Sequence, residues 1–310
     1  MAPGRNPLFE LELEQELQED EMRQRRTKDD VGDRDVDTAM NEPTAELGDA
    51  HGPLLQGLWE SVRAGQQKIV LSPYLAASCA FLTHLAFCAP FLVLDALGSV
   101  CQRVRSWRIA AGSGPPPSLR RWFECFCRIL FKYTTAVLPA AAILQLLRSP
   151  NLPALAPSCW QLFVEVVACF LLFDTLFFIW HYSMHRVPWL YRTIHQMHHQ
   201  HHVPFALAAQ DASSAELLSL LLLALSSAWV LGCHPLSETL FHFLNSWLAV
   251  EDHCGYNLPW ALHKLLPYMG GAPYHQTHHK KQSTNFAPYF THWDYLFGTY
   301  CKSALHFHSE

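Results

Sequence analysis

The stretch Phe170-Leu-Leu-Phe-Asp-Thr-Leu-Phe-Phe-Ile-Trp-His-Tyr-Ser-Met-His185 joins the two kinds of sequence that decide the architecture. An apolar run long enough to enter a membrane ends directly in a histidine pair, His181 and His185, at HxxxH spacing. Two related clusters follow, His195-Gln-Met-His198-His199 and His275-Gln-Thr-His278-His279. On a helix, residues three and four apart share a face, with Cβ atoms roughly 5–6 Å apart, so each cluster is expected to aim its imidazoles at one point. Eight neutral nitrogens exceed the four that a tetrahedral zinc takes, and imidazole suits iron, zinc, copper or nickel. The pattern therefore predicts two metal ions with positions left open, without choosing the metal. A loose histidine-rich tract is the bland alternative, and the run His198-His199-Gln200-His201-His202 alone would invite it. Recurrence of the same spacing at His275, with ordinary sequence between, argues for a built centre.

Outward from this stretch the chain divides sharply. Hydrophobic residues make up 50% and charged ones 16%. Within residues 1–50, however, fifteen Asp and Glu face six Lys and Arg, a net of −9, which leaves +4 for the remainder of a chain of net −5. Such a segment has too few large apolar groups to offset its chain entropy, so disorder is expected, with at most a short helix near 8–17. Its polar start lacks the apolar core of a signal peptide, so no cleaved leader is expected. Residues 51–310 are read as one membrane-embedded domain.

Long apolar stretches run over 74–100, 129–147, 159–180, 216–231 and, more weakly, 236–250. About 20 apolar residues cross a hydrocarbon core of roughly 30 Å, so the first three are expected to span. The last two, joined by Gly232-Cys-His-Pro235, read as a helical hairpin, either a thin crossing pair or a re-entrant dip. The loop after the first span holds Arg103, Arg105, Arg108, Arg120, Arg121 and Arg128 against Glu124. By the positive-inside rule it is cytosolic. Counting forward, the third span returns to that face at Trp180 and the hairpin brings the last cluster back to it. The expected fold is all-α: a polytopic membrane helical bundle with a cytosolic, histidine-rich di-metal cap. The same count puts the acidic N-terminus in the lumen.

His253, in Glu251-Asp-His-Cys254, follows the return helix of the hairpin and is read as a ninth metal ligand. His242, three turns earlier, and His292 are equally suited to ligation or to packing. His201, His202, His263, His306 and His308 read as surface or supporting residues, and His84 as a core histidine. Metal-bound imidazoles hand their other N–H to a carboxylate or carbonyl, and Asp174, Asp211, Glu251, Asp252 and Asp294 are the available carboxylates. Asp174 stands out, because an acid inside an apolar span is costly unless something needs it. The ten cysteines show no paired framework and read as buried free thiols.

The HxxxH, HxxHH, HxxHH series on a membrane bundle resembles the fatty acid hydroxylase/sterol desaturase superfamily. Within it, Val187-Pro-Trp-Leu-Tyr-Arg-Thr193, Val250-Glu-Asp-His-Cys-Gly-Tyr-Asn257 and Asn285-Phe-Ala-Pro-Tyr-Phe-Thr-His-Trp-Asp294 are similar to the sterol side-chain hydroxylases. The resemblance covers about residues 70–300. It implies an endoplasmic reticulum enzyme whose two iron ions insert oxygen from O2 into a sterol, with cholesterol and its 25-position favoured. It also implies that His181, His185, His195, His198, His199, His275, His278 and His279 hold the iron, with His253 matching a further family histidine. No GxGxxG or other phosphate-cradling loop is present, so electrons are expected from a separate reductase or a cytochrome b5-type carrier. No nucleic-acid partner is expected. Sterol methyl oxidation, acyl-lipid hydroxylation and desaturation share the same histidine chemistry and are the alternatives. A metal transporter, which would place ligands deep along its spans, and an inactive paralogue are the more distant ones.

Removal of residues 1–50 is expected to leave turnover and membrane insertion unchanged. Loss of activity in a properly inserted truncation would show that the acidic segment takes part in function.

Overall fold

A computed structural model describes residues 52–65, 72, 74–109, 115–147 and 152–302. The acidic segment, its expected helix near 8–17, His306 and His308 lie outside these residues. Within them the chain is helical, with two isolated β-bridges, Arg108 with Tyr256 and Met269 with Phe290. Helix α1 covers Pro53–Gly65, α2 Leu75–Val100 and α3 Leu119–Lys132. A π-turn at Tyr133–Val137 links α3 to α4, Leu138–Leu147, and α5 runs over Cys159–Arg186. Then come α6, Ser214–Leu231, α7, Pro235–His253, and α8, Gly271–Lys281.

Four helical stretches are long and apolar enough to cross a membrane: Leu75–Val100, Leu119–Leu144, Cys159–Arg186 and Ser214–Leu231. Most of each stretch is uncovered by the rest of the chain. Leu82, Val93, Phe131, Ile143, Leu171 and Val230 all stand exposed. A helix apolar all round with an open outer surface suits a hydrocarbon solvent, where only closed backbone hydrogen bonding is tolerated.

The second span starts ten residues earlier than the hydropathy of 129–147 indicates. Ser118 caps α3 by accepting from the Arg121 N–H, and Trp122, Cys125 and Ile129 form its buried stripe. Arg120, Arg121 and Arg128 therefore sit on a helix rather than in a loop. Averaging over a window hid this, because the first turns are amphipathic. The third span likewise continues to Arg186, which carries His181 and His185 on its last turns.

The α6–α7 hairpin runs the full depth of the bundle. At its tip, His234 N–H donates to Glu165 Oε2, and His234 Nε2–H to the Leu155 carbonyl, at the end of α5 remote from the histidines. The hairpin tip thus lies at the end of the bundle remote from the histidines, and of its two helices Ser214–Leu231 is long and apolar enough to span. Helix α1 seals the same end: Trp59 Nε1–H donates to the Pro153 carbonyl, Arg63 to Ala154 O, and Gln56 Oε1 accepts from Ala156 N–H. At the opposite end the arginine-rich segment meets the histidine cap, as the span count required. Ile109 N–H donates to Gly255 O and Asn257 N–H to Trp107 O. Gly255 takes φ +78°, and a Cβ there would meet the Pro204 carbonyl at 2.9 Å, so the close approach needs glycine.

Asp211 pins α3 to the cap. Its buried carboxylate accepts from Arg128 at 2.6 Å, Lys132 at 3.2 Å and His201 at 2.9 Å. Burial would raise its pKa, but the hydrogen bonds from His201 and Arg128 and the charge of Lys132 outweigh that and hold it below the usual carboxylate range. Cys88, Cys125, Cys169, Cys233 and Cys254 are buried thiols, whereas Cys79, Cys127 and Cys159 are exposed, contrary to expectation, because they lie on outward faces or a helix end.

Asp211→Asn leaves two buried or half-buried cations facing a neutral group and should cost about 2–3 kcal/mol, discounted because Arg128 is partly exposed. Thermal unfolding in detergent checks this; an unchanged midpoint would remove the cluster from the forces holding the cap.

Candidate metal centre

The nine histidines at 181, 185, 195, 198, 199, 253, 275, 278 and 279 converge, but not cluster by cluster. His181, His185, His195, His199 and His278 form one group, and His198, His253, His275 and His279 another. The expectation that each sequence cluster serves one point is corrected: the second and third clusters are each divided between both groups. Local backbone explains the division. His195 ends a π-helical turn, Tyr191–His195, and His198 and His199 lie on a 3-10 turn, His198–Gln200, so neighbouring imidazoles diverge. On α8, His275 and His279 are i and i+4 on one face, and His278 projects from the adjacent one.

In the five-membered group, His195 Nε2 lies 3.0 Å from His181 Nε2 and 2.9 Å from His199 Nε2. His199 Nε2 is also 3.1 Å from that of His185 and 3.2 Å from that of His278. In the four-membered group, His253 Nε2 is 3.1 Å from His198 Nε2 and 3.0 Å from His275 Nε2, which is 3.1 Å from His279 Nε2. Two nitrogens bound at ~2.1 Å and at right angles about one ion stand ~3.0 Å apart, so both groups fit metal ions. Five nitrogens also exceed the tetrahedral set of a structural zinc.

The other ring nitrogens fix which atom faces inward. His181 Nδ1–H donates to Phe286 O at 2.6 Å, His278 Nδ1–H to Thr284 O at 2.8 Å and His253 Nδ1–H to Ala249 O at 2.8 Å. His195 Nδ1–H donates to Glu216 Oε1 at 3.0 Å. Each bond leaves an Nε2 lone pair aimed at its group, and opposed lone pairs repel unless a cation lies between them. Burial, reinforced by neighbouring imidazoles, pushes His198, His199, His275, His278 and His279 far below the ordinary histidine range, so they are neutral and ligand-ready at pH 7.

Glu216 was missed in the sequence reading. Its signal was present: Ser213-Ser-Ala-Glu216 is a capping-box pattern, and Ser213 Oγ does accept from the Glu216 N–H. The carboxylate turns to His195 instead of closing the box. The carboxylates named from sequence do other work. Asp174 accepts from the Tyr289 and Phe290 N–H groups at 3.0 Å, locking the C-terminal loop onto α5. Asp294 accepts from Phe286 N–H, Ala287 N–H, Thr299 and the Tyr274 hydroxyl, which sets the Phe286 carbonyl that orients His181. Asp211 bonds His201, outside both groups, and Glu251 stands 3.7 Å from His263. Asp252 lines a cavity beside His253.

His242 and His292 join neither group: His242 packs on Phe241, and His292 on Phe290 and Trp293. His84 is buried with Cys88, His201 is a buried supporting residue, and His202 is exposed. Gly271, at φ +65°, starts α8 where a Cβ would strike the His263 ring, so glycine is needed to bring His275 into place.

A cavity opens between the two groups. His181 and His195 line it from one side and His198, His253 and His275 from the other, with Phe177, Leu220, Ala249, Pro288 and Tyr289 as its apolar wall. An apolar molecule entering along α5, α6 and α7 would meet both groups at once.

The sequence profile of the family described as Fatty acid hydroxylase matches residues 166–299, which begin inside the third span and include every histidine of both groups. The chain is 40% identical over 255 residues to a cholesterol 25-hydroxylase-like protein of Danio rerio, covering 82% of this chain and 98% of that one. It is 43% identical over 257 residues to cholesterol 25-hydroxylase of Rattus norvegicus, covering 82% and 85%. A methylsterol monooxygenase of Aspergillus fumigatus is 30% identical over 272 residues, covering 83% and 88%. No solved structure gives a significant match. The paired imidazole groups, the membrane bundle that carries them and these relatives agree, and the chain belongs to the fatty acid hydroxylase family, as a membrane monooxygenase.

Proposed function

We propose that this protein hydroxylates a sterol side chain, cholesterol at its 25-position foremost, at two iron ions that consume O2 and externally supplied electrons. The observation that carries the reading is the cavity between the two groups, apolar on its membrane side and imidazole-lined on its cap side. His181, His185, His195, His199 and His278 would hold one ion, and His198, His253, His275 and His279 the other. Iron would supply the activation of dioxygen that no side chain provides.

The residues supply the rest. Phe177, Leu220, Ala249 and Tyr289 hold an apolar chain against the centre and exclude water. Glu216 orients His195, and the Phe286 carbonyl, set by Asp294, orients His181. The relatives named for cholesterol 25-hydroxylation support the sterol over an acyl chain. The methylsterol monooxygenase relative makes oxidation of a sterol methyl group the second reading.

In the same proposal the protein resides in the endoplasmic reticulum membrane with its cap in the cytosol. Residues 51–310 form its membrane domain and residues 1–50 an appendage. The basic residues gathered at the cap end support this orientation: Arg121 contacts His201, and Arg128 contacts Asp211. Exposed Arg103, Arg105 and Arg120 there would meet an acidic electron carrier such as a cytochrome b5-type protein.

Mass-spectrometric sterol profiling of cells expressing the wild type beside His198→Ala tests the reaction. A histidine-dependent rise in 25-hydroxycholesterol is expected; oxidised methylsterols instead would select the second reading, and a flat profile would sink both. Purified wild type should hold two iron ions per chain and His198→Ala about one, since that imidazole serves a single group. Glu216→Ala should weaken metal retention against a chelator by about 10–100-fold while the protein stays folded. Retention equal to wild type would reduce Glu216 to a helix cap.

A further inference from the structure

The spans are arranged as a ring: α2 packs on α7, α7 on α5, α5 on α6, α6 on the π-turn of the second span, and α4 back on α2. Helix α7 shows which of its faces looks into that ring. Phe241 packs against Phe170 and Phe173 of α5, and Phe243 and Trp247 pack against Phe87 of α2. Between these flanks lies the face that carries Ala249, Asp252 and His253 to the cavity. Glu238, His242 and Asn245 continue the same face at helical spacing, away from the cap.

Glu238 is buried, Asn245 is half-buried and the His242 side chain is 30% exposed, and polar groups on a helix of a membrane bundle are costly and mark substrate paths or binding sites. Asn245 is accounted for, because its Oδ1 accepts the Tyr289 hydroxyl at 2.7 Å. His242 is not: its Nε2 is buried without a hydrogen-bond partner, and Glu238 Oε1 stands 3.8 Å away. A buried polar atom left unpaired is unfavourable, so His242 Nε2 gains from any hydrogen-bonding group that reaches it.

The position along the helix identifies that partner. His242 precedes His253 by eleven residues, or about 16 Å of helix axis. That is close to the distance between the ring hydroxyl of an extended sterol and the tip of its side chain. Ser246 Oγ is also unpartnered, but at seven residues, about 10 Å, it falls beneath the fused rings.

We propose that His242, with Glu238 one turn behind it, receives the ring hydroxyl of the sterol and so sets which carbon reaches the imidazole groups. The assignment rests on the sterol reading above and adds to it a ruler: a rigid substrate held at one end presents its other end at a fixed depth. A fatty acyl chain, which lacks a hydroxyl at that distance, gains nothing from it.

The test measures equilibrium binding of cholesterol and of its 3-deoxy analogue, cholest-5-ene, to purified full-length protein in nanodiscs. Wild type should bind the hydroxylated sterol about tenfold more tightly, the worth of one buried hydrogen bond. His242→Leu should lose that preference, and His242→Gln, which retains a donor and an acceptor, should keep most of it. Thermal unfolding confirms that each variant is folded, and the wild-type comparison stands even where one is not. A preference that survives in folded His242→Leu, or its absence in wild type, overturns the hydroxyl assignment and leaves the sterol reading to product analysis. Failure of wild type to bind either compound overturns both.

Discussion

Nine imidazoles held with their Nε2 atoms about 3 Å apart impose the constraint around which the cap is organised. Without a cation between them their lone pairs repel, and no imidazole would choose that direction unaided. The bundle pays for the arrangement with anchors behind the rings: carbonyls of Phe286, Thr284 and Ala249, and the carboxylate of Glu216. Metal binding at these groups would therefore be linked to folding, because the same interactions that place the imidazoles fold the segments that carry them.

Those anchors depend on buried carboxylates that touch no metal-facing ring. Asp294 gathers two backbone N–H groups, a threonine and a tyrosine, and by doing so delivers the Phe286 carbonyl to His181. Asp174 binds the next two N–H groups along the loop, at Tyr289 and Phe290, and fixes Pro288 and Tyr289 as cavity wall. An irregular loop at membrane depth needs its backbone groups satisfied, and a carboxylate that accepts two at once does so compactly. The acid in the apolar span is thus explained by loop anchoring rather than by an imidazole.

The two groups are unequal, and their inequality gives the cavity a direction. One offers five nitrogens and the other four, and three of those four line the cavity. Phe177, Leu220, Ala249, Pro288 and Tyr289 make its wall aromatic and aliphatic, while the arginine-rich segment lies at the histidine end of the bundle.

The eight clustered histidines, His253, the helical class and the placement of histidines and arginines at one end were all legible in the sequence. Spacing, hydropathy and charge asymmetry are local properties that survive without coordinates. The start of the second span was blurred because Arg120 and Arg121 occupy the first turns of an otherwise apolar helix. The depth of the hairpin waited on the contacts of His234. Glu216 was visible as a helix-start residue, yet nothing local could show that its carboxylate turns to an imidazole 21 positions earlier. The sequence by itself determined that imidazoles would gather at one end of an apolar helical bundle, since their number and periodicity are written there. Only the tertiary structure decided how they divide into five and four, because that division depends on a π-turn, a 3-10 turn and the packing of α8 on α7, which bring together residues remote along the chain.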